Sequence, residues 1–443
     1  MNKLPISFAH LLVVISRLPA PERLWVAYSG GVDSSVLLHL LSQNREKLAS
    51  NLIAVHINHQ LNQEADSWVK YCKNICVKEK IKFESITINA KKTKGHSQEA
   101  YARELRYASL KSIMGTGDLL LTGHQLDDQA ETLIQQLMRG ARPESLAGMP
   151  HVREFGPGWL ARPLLEYSRS QIKDYAEHHG LKWIEDESNQ DIEIDRNFIR
   201  YSIIPYFQKR WPSVIDILSR SARHQADVVS LLKEIAEQDF EKTRCEHQNI
   251  LDIAELKKMS ETRMRNLIRY WLKKNGHKPS STAVTEIIIR ELIYAGGDRM
   301  PVVKWNKTEI RRYRNKIHVM KPLVEVPVDT HYIWNLEQPL NINSGSLIAR
   351  RAVGKGIKSE SINDNLVQVR FRRGGETIQP AGRKETHKLK KLFQESGVPP
   401  WQRDRIPLLF INNKLAAVTG YWIDDHFNAS ETEQGWEISL TEY

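Results

Sequence analysis

Four short apolar runs, each followed by a stretch of helical periodicity, govern what the first half of this chain can become. Leu24-Trp25-Val26-Ala27-Tyr28, Leu52 to Ile57, Phe83 to Ile88 and Leu119-Leu120-Leu121-Thr122 read as buried strands. Helical patterns near 34–43, 64–80, 97–114 and 127–139 lie between and after them. Strand–helix alternation at this spacing requires a parallel sheet with helices on both faces. Ligands of such folds sit beyond the carboxyl ends of the strands. The loops after Tyr28, Ile57 and Thr122 are therefore where chemistry is expected.

The first of these loops is Ser29-Gly30-Gly31-Val32-Asp33-Ser34-Ser35, between a strand and a helix. Two glycines allow a sharp turn that leaves backbone N–H groups open to an anion. The serine hydroxyls and the positive end of the following helix aim at the same point. Asp33 belongs in a phosphate site only if a cation accompanies the phosphate, which implies Mg²⁺. The loop lacks the lysine of the G-x-x-x-x-G-K-[ST] pattern, which argues against cleavage between the β and γ phosphates.

The loop after Thr122 reads Gly123-His124-Gln125-Leu126-Asp127-Asp128-Gln129-Ala130-Glu131-Thr132. On a helix, Leu126, Ala130, Leu133, Ile134 and Leu137 form one apolar stripe, and Asp128 and Glu131 are neighbours on the other side. Acids at a helix start suit its dipole, but this start also opens onto the same crevice as the glycine turn.

A chain of 443 residues is too long for one core. Residues 1–214 are expected to form the α/β unit, 215–335 a mostly helical unit, and 345–443 a small mixed α+β unit. From Trp211 to Gly276 the periodicity is helical, Arg311 to Val319 is strand-like, and Pro322 to about Gln368 reads as irregular. The net charge of +11 is uneven: Lys+Arg against Asp+Glu is 27 to 24 in residues 1–214 and 37 to 29 thereafter. Catalysis in the first part and polyanion binding in the second would explain that asymmetry. Within 370–391, Arg370, Arg372, Arg373, Arg383, Lys384, Lys388, Lys390 and Lys391 face two glutamates. Interleaved with Phe and Trp, they suit RNA phosphates and exposed bases. Three cysteines, Cys72, Cys76 and Cys245, exclude a disulfide scaffold and favour a reducing compartment. No segment has the ~20 apolar residues of a membrane span, so a soluble cytoplasmic protein is expected. The apolar run Leu11 to Ile15 reads as an amphipathic first helix, not as a signal peptide.

S-G-G-x-D-S after a strand resembles the loop of the PP-loop ATP pyrophosphatase family. G-H-x-x-D-D-Q-x-E-T with Arg139-Gly140 resembles, more narrowly, the tRNA(Ile)-lysidine synthetases. Agreement extends to Val55-His56-Ile57-Asn58-His59, Glu99 with Ala102-Arg103 and Arg106-Tyr107, Ala147-Gly148-Met149 and Arg162-Pro163-Leu164-Leu165. It continues through Trp183 to Asp186, Ser188-Asn189, Arg196-Asn197 and Ile199-Arg200. Gln60 departs from the usual Gly after H-x-x-H, and Gln125 from a common His. The order R-F-R-x-G-[DE]-x-x-x-P-x-G-x-x-x-x-K-L-K-K-L-F resembles the terminal domain of the longer members. Arg263, Arg265, Arg269, Trp271, Lys273 and Lys274 resemble their first accessory domain.

The resemblance implies an ATP-dependent ligase that adenylates the wobble cytidine of a tRNA(Ile) bearing CAU and then attaches L-lysine. ATP would sit on Ser29, Gly30, Gly31, Val32, Asp33 and Ser34, with Mg²⁺ held through Asp33 and Asp128. Asp33, Asp128, Glu131 and His124 are the expected catalytic residues; Arg103, Arg106 and Arg139 would steady phosphate or developing charge. A homodimer is compatible with all this. A PP-loop tRNA thiolase is the enzymatic rival, but Cys72 and Cys76 lack companions and read as packing residues. A catalytically inactive tRNA-binding protein is the rival of another class.

Overall fold

The protein was analysed as a computed structural model that describes residues 5–48, 50–89, 98–186, 191–278, 281–296, 300–323, 330–343, 345–362 and 366–441. Ser188, Asn189 and the side chain of Glu99 lie outside the described residues. The chain forms two compact units, Met1–Ile235 and Ala236–Tyr443.

In the first unit the expected alternation is realised. The order is α1 (Phe8–Ile15), β1 (Arg23–Ala27), α2 (Val32–Ser42), β2 (Asn51–Asn58), α3 (Ala65–Lys78), β3 (Lys82–Thr87), α4 (Gln98–Ser112), β4 (Leu119–Leu121) and α5 (Leu126–Met138). There follow α6 (Pro143–Leu146), β5 (Val152–Phe155), β6 (Gly158–Ala161), α7 (Arg169–His178), α8 (Asp195–Phe198), a π turn at Ile199–Ile203, α9 (Ile204–Arg210) and α10 (Val214–Thr243). The strands order as β3-β2-β1-β4-β6-β5. All neighbours pair in parallel except β5, which runs antiparallel to β6 at the edge.

Both faces are covered, as strands this apolar demand. On one side Leu24, Val26 and Leu121 pack with Leu37, Leu41, Cys72, Cys76 and Ile172; on the other Trp25, Val55 and Leu120 pack with Leu110 and Met114. Strand order reverses between β1 and β4, and a doubly wound sheet opens its ligand crevice at such a reversal. The loops leaving those two strands are Tyr28 to Gly31 and Thr122 to Gln125. Topology alone brings the two motifs to one place.

The second unit takes up the end of α10 and continues with β7 (Ile250–Asp252), α11 (Ile253–Lys257), α12 (Glu261–Lys274), α13 (Thr282–Ile287) and a π turn at Ile288–Ile293. Next come β8 (Val302–Trp305), β9 (Thr308–Tyr313) and β10 (Lys316–Met320). Arg311 to Val319 is a hairpin and not one strand, turning at Arg314 with φ +53°. The strands β7-β10-β9-β8 make a sheet over a core that includes Leu267, Trp271 and Leu292, so this part is less helical than its periodicity suggests.

The stretch expected to be irregular carries four strands: β11 (His331–Trp334), β12 (Leu340–Ile342), β13 (Gly345–Val353) and β14 (Ile357–Lys358). They join β15 (Val367–Arg370), β16 (Thr377–Ile378), β17 (His387–Lys388), α14 (Leu389–Glu395), α15 (Pro400–Arg403), β18 (Leu408–Ile411), β19 (Lys414–Val418), β20 (Trp422–Ile423) and β21 (Gln434–Thr441). The long pair β13–β21 is the centre of the sheet β12-β13-β21-β14, and β11-β15-β18-β19-β20 forms another. Trp401 lies edge-on to Tyr313 and to His318, at centroid distances of 6.1 and 5.3 Å, and Arg403 Nη2 donates to the Tyr313 hydroxyl at 3.1 Å. This contact ties α15 to the β9–β10 hairpin.

Candidate active site

The glycine turn has the geometry its sequence demands. Gly30 sits at φ +87°, and a Cβ there would stand 2.6 Å from Ile184 Cδ1 and 3.0 Å from Cys72 Sγ. No side chain but hydrogen fits that conformation in that space. The Gly30 carbonyl accepts from the Ile184 N–H at 2.9 Å, which turns it away from the loop mouth. Ser34 Oγ donates to the Gly31 carbonyl at 3.0 Å and meets Ser29 Oγ at 3.1 Å. Gly31 is the N-cap of α2 and offers no side chain to its first turn, so the N–H groups of Val32, Asp33 and Ser34 have no partner within the helix. Ser29 is exposed at the mouth while Ser34 is buried beneath it.

The second motif leans directly on the first. A Cβ on Gly123 would lie 3.0 Å from the Asp33 carbonyl carbon and 3.1 Å from the Ser34 nitrogen. Gln125 then caps α5: its side chain accepts from Asp127 N at 2.6 Å, and Asp128 Oδ2 accepts from Gln125 N at 3.0 Å. Glutamine at the departure position thus performs an N-cap's work.

Asp128 and Glu131 project from α5 toward two arginines. Arg196 Nη2 donates to Asp128 Oδ1 at 2.7 Å and Arg196 Nε to Glu131 Oε2 at 2.9 Å. Arg200 Nε donates to Glu131 Oε1 at 2.6 Å, and its Nη2 reaches Asp128 Oδ1 at 3.0 Å and Glu131 Oε2 at 2.9 Å. Two carboxylates and two guanidiniums form one buried network in which each charge is paired. Burial would lift the Asp128 carboxyl, but the Arg196 and Arg200 guanidiniums hold it below the ordinary carboxylate range. Arg200 belongs to the π turn, and that wider turn brings it and Arg196 onto the same carboxylates. Both arginines stood in the sequence only as pieces of a resemblance. No spacing rule links them to acids 65 to 72 positions earlier.

Asp33 contrasts with Asp128. Burial, with the nearby Asp128, pushes its carboxyl up to about 7 against the opposing pull of Arg169 and Arg200. Its Oδ1 is buried without a hydrogen-bond partner. An orphan carboxylate oxygen beside a phosphate-receiving turn is the place for a divalent cation shared with phosphate oxygens, since Mg²⁺ uses one or two carboxylates and keeps the rest for water and substrate. Asp128 already serves two guanidiniums and a backbone N–H. Among the described residues, no group of three or more His, Cys, Asp or Glu could hold a metal by itself.

His124 Nδ1 meets Thr122 Oγ1 at 2.8 Å, and burial drives its pKa down to about 3, leaving a neutral imidazole. Asp127 accepts from the Arg169 N–H at 2.9 Å and so fastens α7 to α5. Arg139 is the C-cap of α5, roughly 20 Å along the axis from its start, and stands away from the crevice. Cys72 and Cys76 are fully buried under the turn, where burial raises both thiols to about 12.

In the second unit, Lys384, Lys388, Lys390 and Lys391 are exposed around β17 and α14, and Arg373 is exposed in the loop ahead of them. Arg372 is held by Asp404 at 3.0 Å and Arg383 by Glu395 at 3.4 Å. Arg370 lies over the Phe410 ring at 4.7 Å and donates to Asn413 Oδ1 at 2.6 Å. Among the described residues no helix is long and apolar enough to cross a membrane.

Comparison with known proteins agrees with this geometry. Residues 6–207 match the family model described as a PP-loop domain, 251–318 that of the TilS substrate binding domain, and 367–440 that of the TilS substrate C-terminal domain. A tRNA(Ile)-lysidine synthase of Coxiella burnetii is 40% identical over 97% of this chain and 96% of its own length. Those of Methylococcus capsulatus and Legionella pneumophila (strain Paris) are 39% and 37% identical, over 91% and 96% of this chain and 92% and 97% of theirs. With all three family models matched in turn along the chain and a relative 40% identical over nearly its whole length, the chain belongs to the tRNA(Ile)-lysidine synthase family.

Proposed function

We propose that this protein ligates L-lysine to the wobble cytidine of a tRNA(Ile) with a CAU anticodon, using ATP and releasing AMP and pyrophosphate. The observation that carries the reading is the meeting, at one reversal of the sheet, of an open glycine turn with the acid helix. The relatives named above support the substrate and the product.

ATP seats its phosphates on Ser29, Gly30, Gly31, Val32, Asp33 and Ser34. The cytidine 2-oxygen attacks the α phosphorus; an O–P bond forms, the bond to the bridging oxygen breaks, and pyrophosphate leaves. Asp33 would hold Mg²⁺, which neutralises phosphate charge when bound; the share first given to Asp128 falls away because its oxygens are engaged. The lysine ε-nitrogen then attacks the 2-carbon, the C–O bond breaks and AMP departs.

That amine, with an ordinary pKa of ~10.4, must lose a proton before it attacks. We assign Asp128 and Glu131 to attract the ammonium by their negative charge while they remain paired with Arg196 and Arg200. Arg196 and Arg200 hold the Asp128 carboxyl below its ordinary range. Asp33, with its carboxyl near 7, is suited to take the proton after pyrophosphate has gone. His124, kept neutral by burial, would serve as a hydrogen-bonding group at the site and not as the proton acceptor first expected of it. Residues 1–214 would carry the chemistry, and 215–335 with 345–443 would hold the tRNA in the cytoplasm. We include a homodimer in the proposal.

The thiolase reading loses its chemistry because Cys72 and Cys76 lie in the core. The test is incubation with ATP, labelled lysine and unmodified tRNA bearing CAU. Label in the tRNA with stoichiometric AMP is expected; tRNA binding without either product would leave only the inactive-protein reading.

A further inference from the structure

Every exposed aromatic ring among the described residues of the first unit falls between Phe198 and Trp211: Phe198, Tyr201, Tyr206 and Trp211. The other described Phe, Tyr and Trp side chains of that unit are buried or half-buried. Tyr206 is 70% exposed and Trp211 55%, so neither ring serves a core.

This stretch is the helical segment made of α8, the π turn and α9. Its inner side is built as a core demands. Ile199 and Ile204 pack with Ala130 and Ile134 of α5, and Ile203 and Phe207 rest against the same cluster. Arg196 and Arg200 also leave the segment toward α5, where they meet Asp128 and Glu131. Phe198, Tyr201 and Tyr206 lie on the outer side, and Trp211, at the end of α9, stands edge-on to Phe207 at 6.2 Å. Packing does not account for rings on the outer side, and apolar surface gathered in one place marks a binding face.

Charge selects the partner. From Arg196 to Ile215 the chain has Arg196, Arg200, Lys209 and Arg210 and no Asp or Glu. The first two are engaged by the buried acids, while Lys209 and Arg210 are exposed at the end of α9. A second copy docked here across a two-fold axis would oppose these cations to their own equivalents, with no acid of the segment to answer them. A nucleic acid brings phosphates for the cations and flat bases for the rings, and unpaired bases stack on Phe, Tyr and Trp. Position agrees. A base that enters a crevice for chemistry leaves its stack, so its neighbours lose one of their own stacking faces. The exposed rings stand on the outer side of the same segment whose arginines reach the acid pair.

We propose that Phe198, Tyr201 and Tyr206 form a stacking platform for unpaired bases next to the reacting one, with Lys209 and Arg210 taking the adjoining phosphates. The platform rests on the function proposed above, and it holds the RNA at the catalytic unit without adding a step to the reaction.

Tyr206→Leu and Phe198→Leu keep an apolar side chain on the helix and remove the aromatic face, whereas Tyr206→Phe keeps it. Val77→Ala, at an exposed position of α3, is the control. tRNA affinity by filter binding across a salt series is read alongside sedimentation velocity, and melting temperatures establish that each variant is folded. Each Leu variant is expected to bind tRNA at least about fivefold more weakly at an unchanged log–log salt slope, because stacking releases no counterions. Tyr206→Phe should retain the parental affinity. Lys209→Ala with Arg210→Ala should lower the slope by about 1–1.5. Parental affinity in both Leu variants would overturn the platform. So would a loss of self-association with tRNA binding intact, which would make this face a contact between copies. A parent protein that forms no lysidine, yet needs the rings to bind tRNA, would refute the proposed function and leave the platform standing.

Discussion

Arg200 and Glu131 are joined by two hydrogen bonds, Nε to Oε1 at 2.6 Å and Nη2 to Oε2 at 2.9 Å, in a side-by-side pairing of guanidinium and carboxylate. Such a pair fixes orientation as well as charge. Arg200→Lys keeps the charge but cannot reproduce the fork. We expect this variant to lose at least ~10-fold in lysine incorporation, with ATP affinity changed by less than about twofold. Single-turnover assays on the purified variant check it, and parental rates would show that the fork does not matter.

Asp128→Asn leaves Arg196 and Arg200 with half their counter-charge. Incorporation is expected to fall by ~10²-fold or more while the tRNA dissociation constant stays within about twofold. Undiminished incorporation would remove Asp128 from the reaction.

Asp33 gives a pH prediction with an unusual sign for a carboxylate. Its folded pKa, near 7, lies above its unfolded one, so the folded state binds more protons between about pH 4 and 7. Stability from this group is complete below the unfolded value and is lost as pH rises through 7. Asp33→Asn should therefore melt higher than the parent at pH 8, by roughly a few degrees, with little difference at pH 4.5 and with loss of adenylation. Equal melting temperatures at pH 8 would contradict the burial argument.

Gln60 occupies a left-handed position at φ +53°, a conformation that glycine adopts without strain. Gln60→Gly is expected to stabilise the protein by about 0.5–1 kcal/mol, measured by denaturant unfolding, because the backbone strain exceeds the entropy glycine adds. Gly123→Ala should act oppositely and raise KM for ATP, since the new methyl meets the Asp33 backbone and not a movable side chain.

The exposed lysines make a graded prediction. Replacing Lys384, Lys390 and Lys391 together by Ala should lower the salt slope of tRNA binding by about 2–3 and leave KM for lysine unchanged. An unaltered slope would place the RNA elsewhere.

Much of the catalytic unit could be read from residues alone because β1, β2 and β4 are buried on both faces and spell continuous apolar runs, as Leu119-Leu120-Leu121 does, whereas β3, expected to be buried from Phe83 to Ile88, is half exposed at the sheet edge. The glycine turn and the helix from Leu126 were legible for the same reason, each having a local rule behind it. β13 was not: it is half exposed and carries Arg350 and Arg351, so its alternation is broken. Nor was the arginine fork, since Arg196 and Arg200 reach the acids by tertiary packing through a π turn.

The edge-on rings of Trp401 and Tyr313, with Arg403 latched to the phenol, leave the β9–β10 hairpin and α15 no freedom to slide past each other. A substitution that displaces the Tyr313 phenol would therefore undo the edge-on packing of Trp401 and the anchor of Arg403 at one stroke.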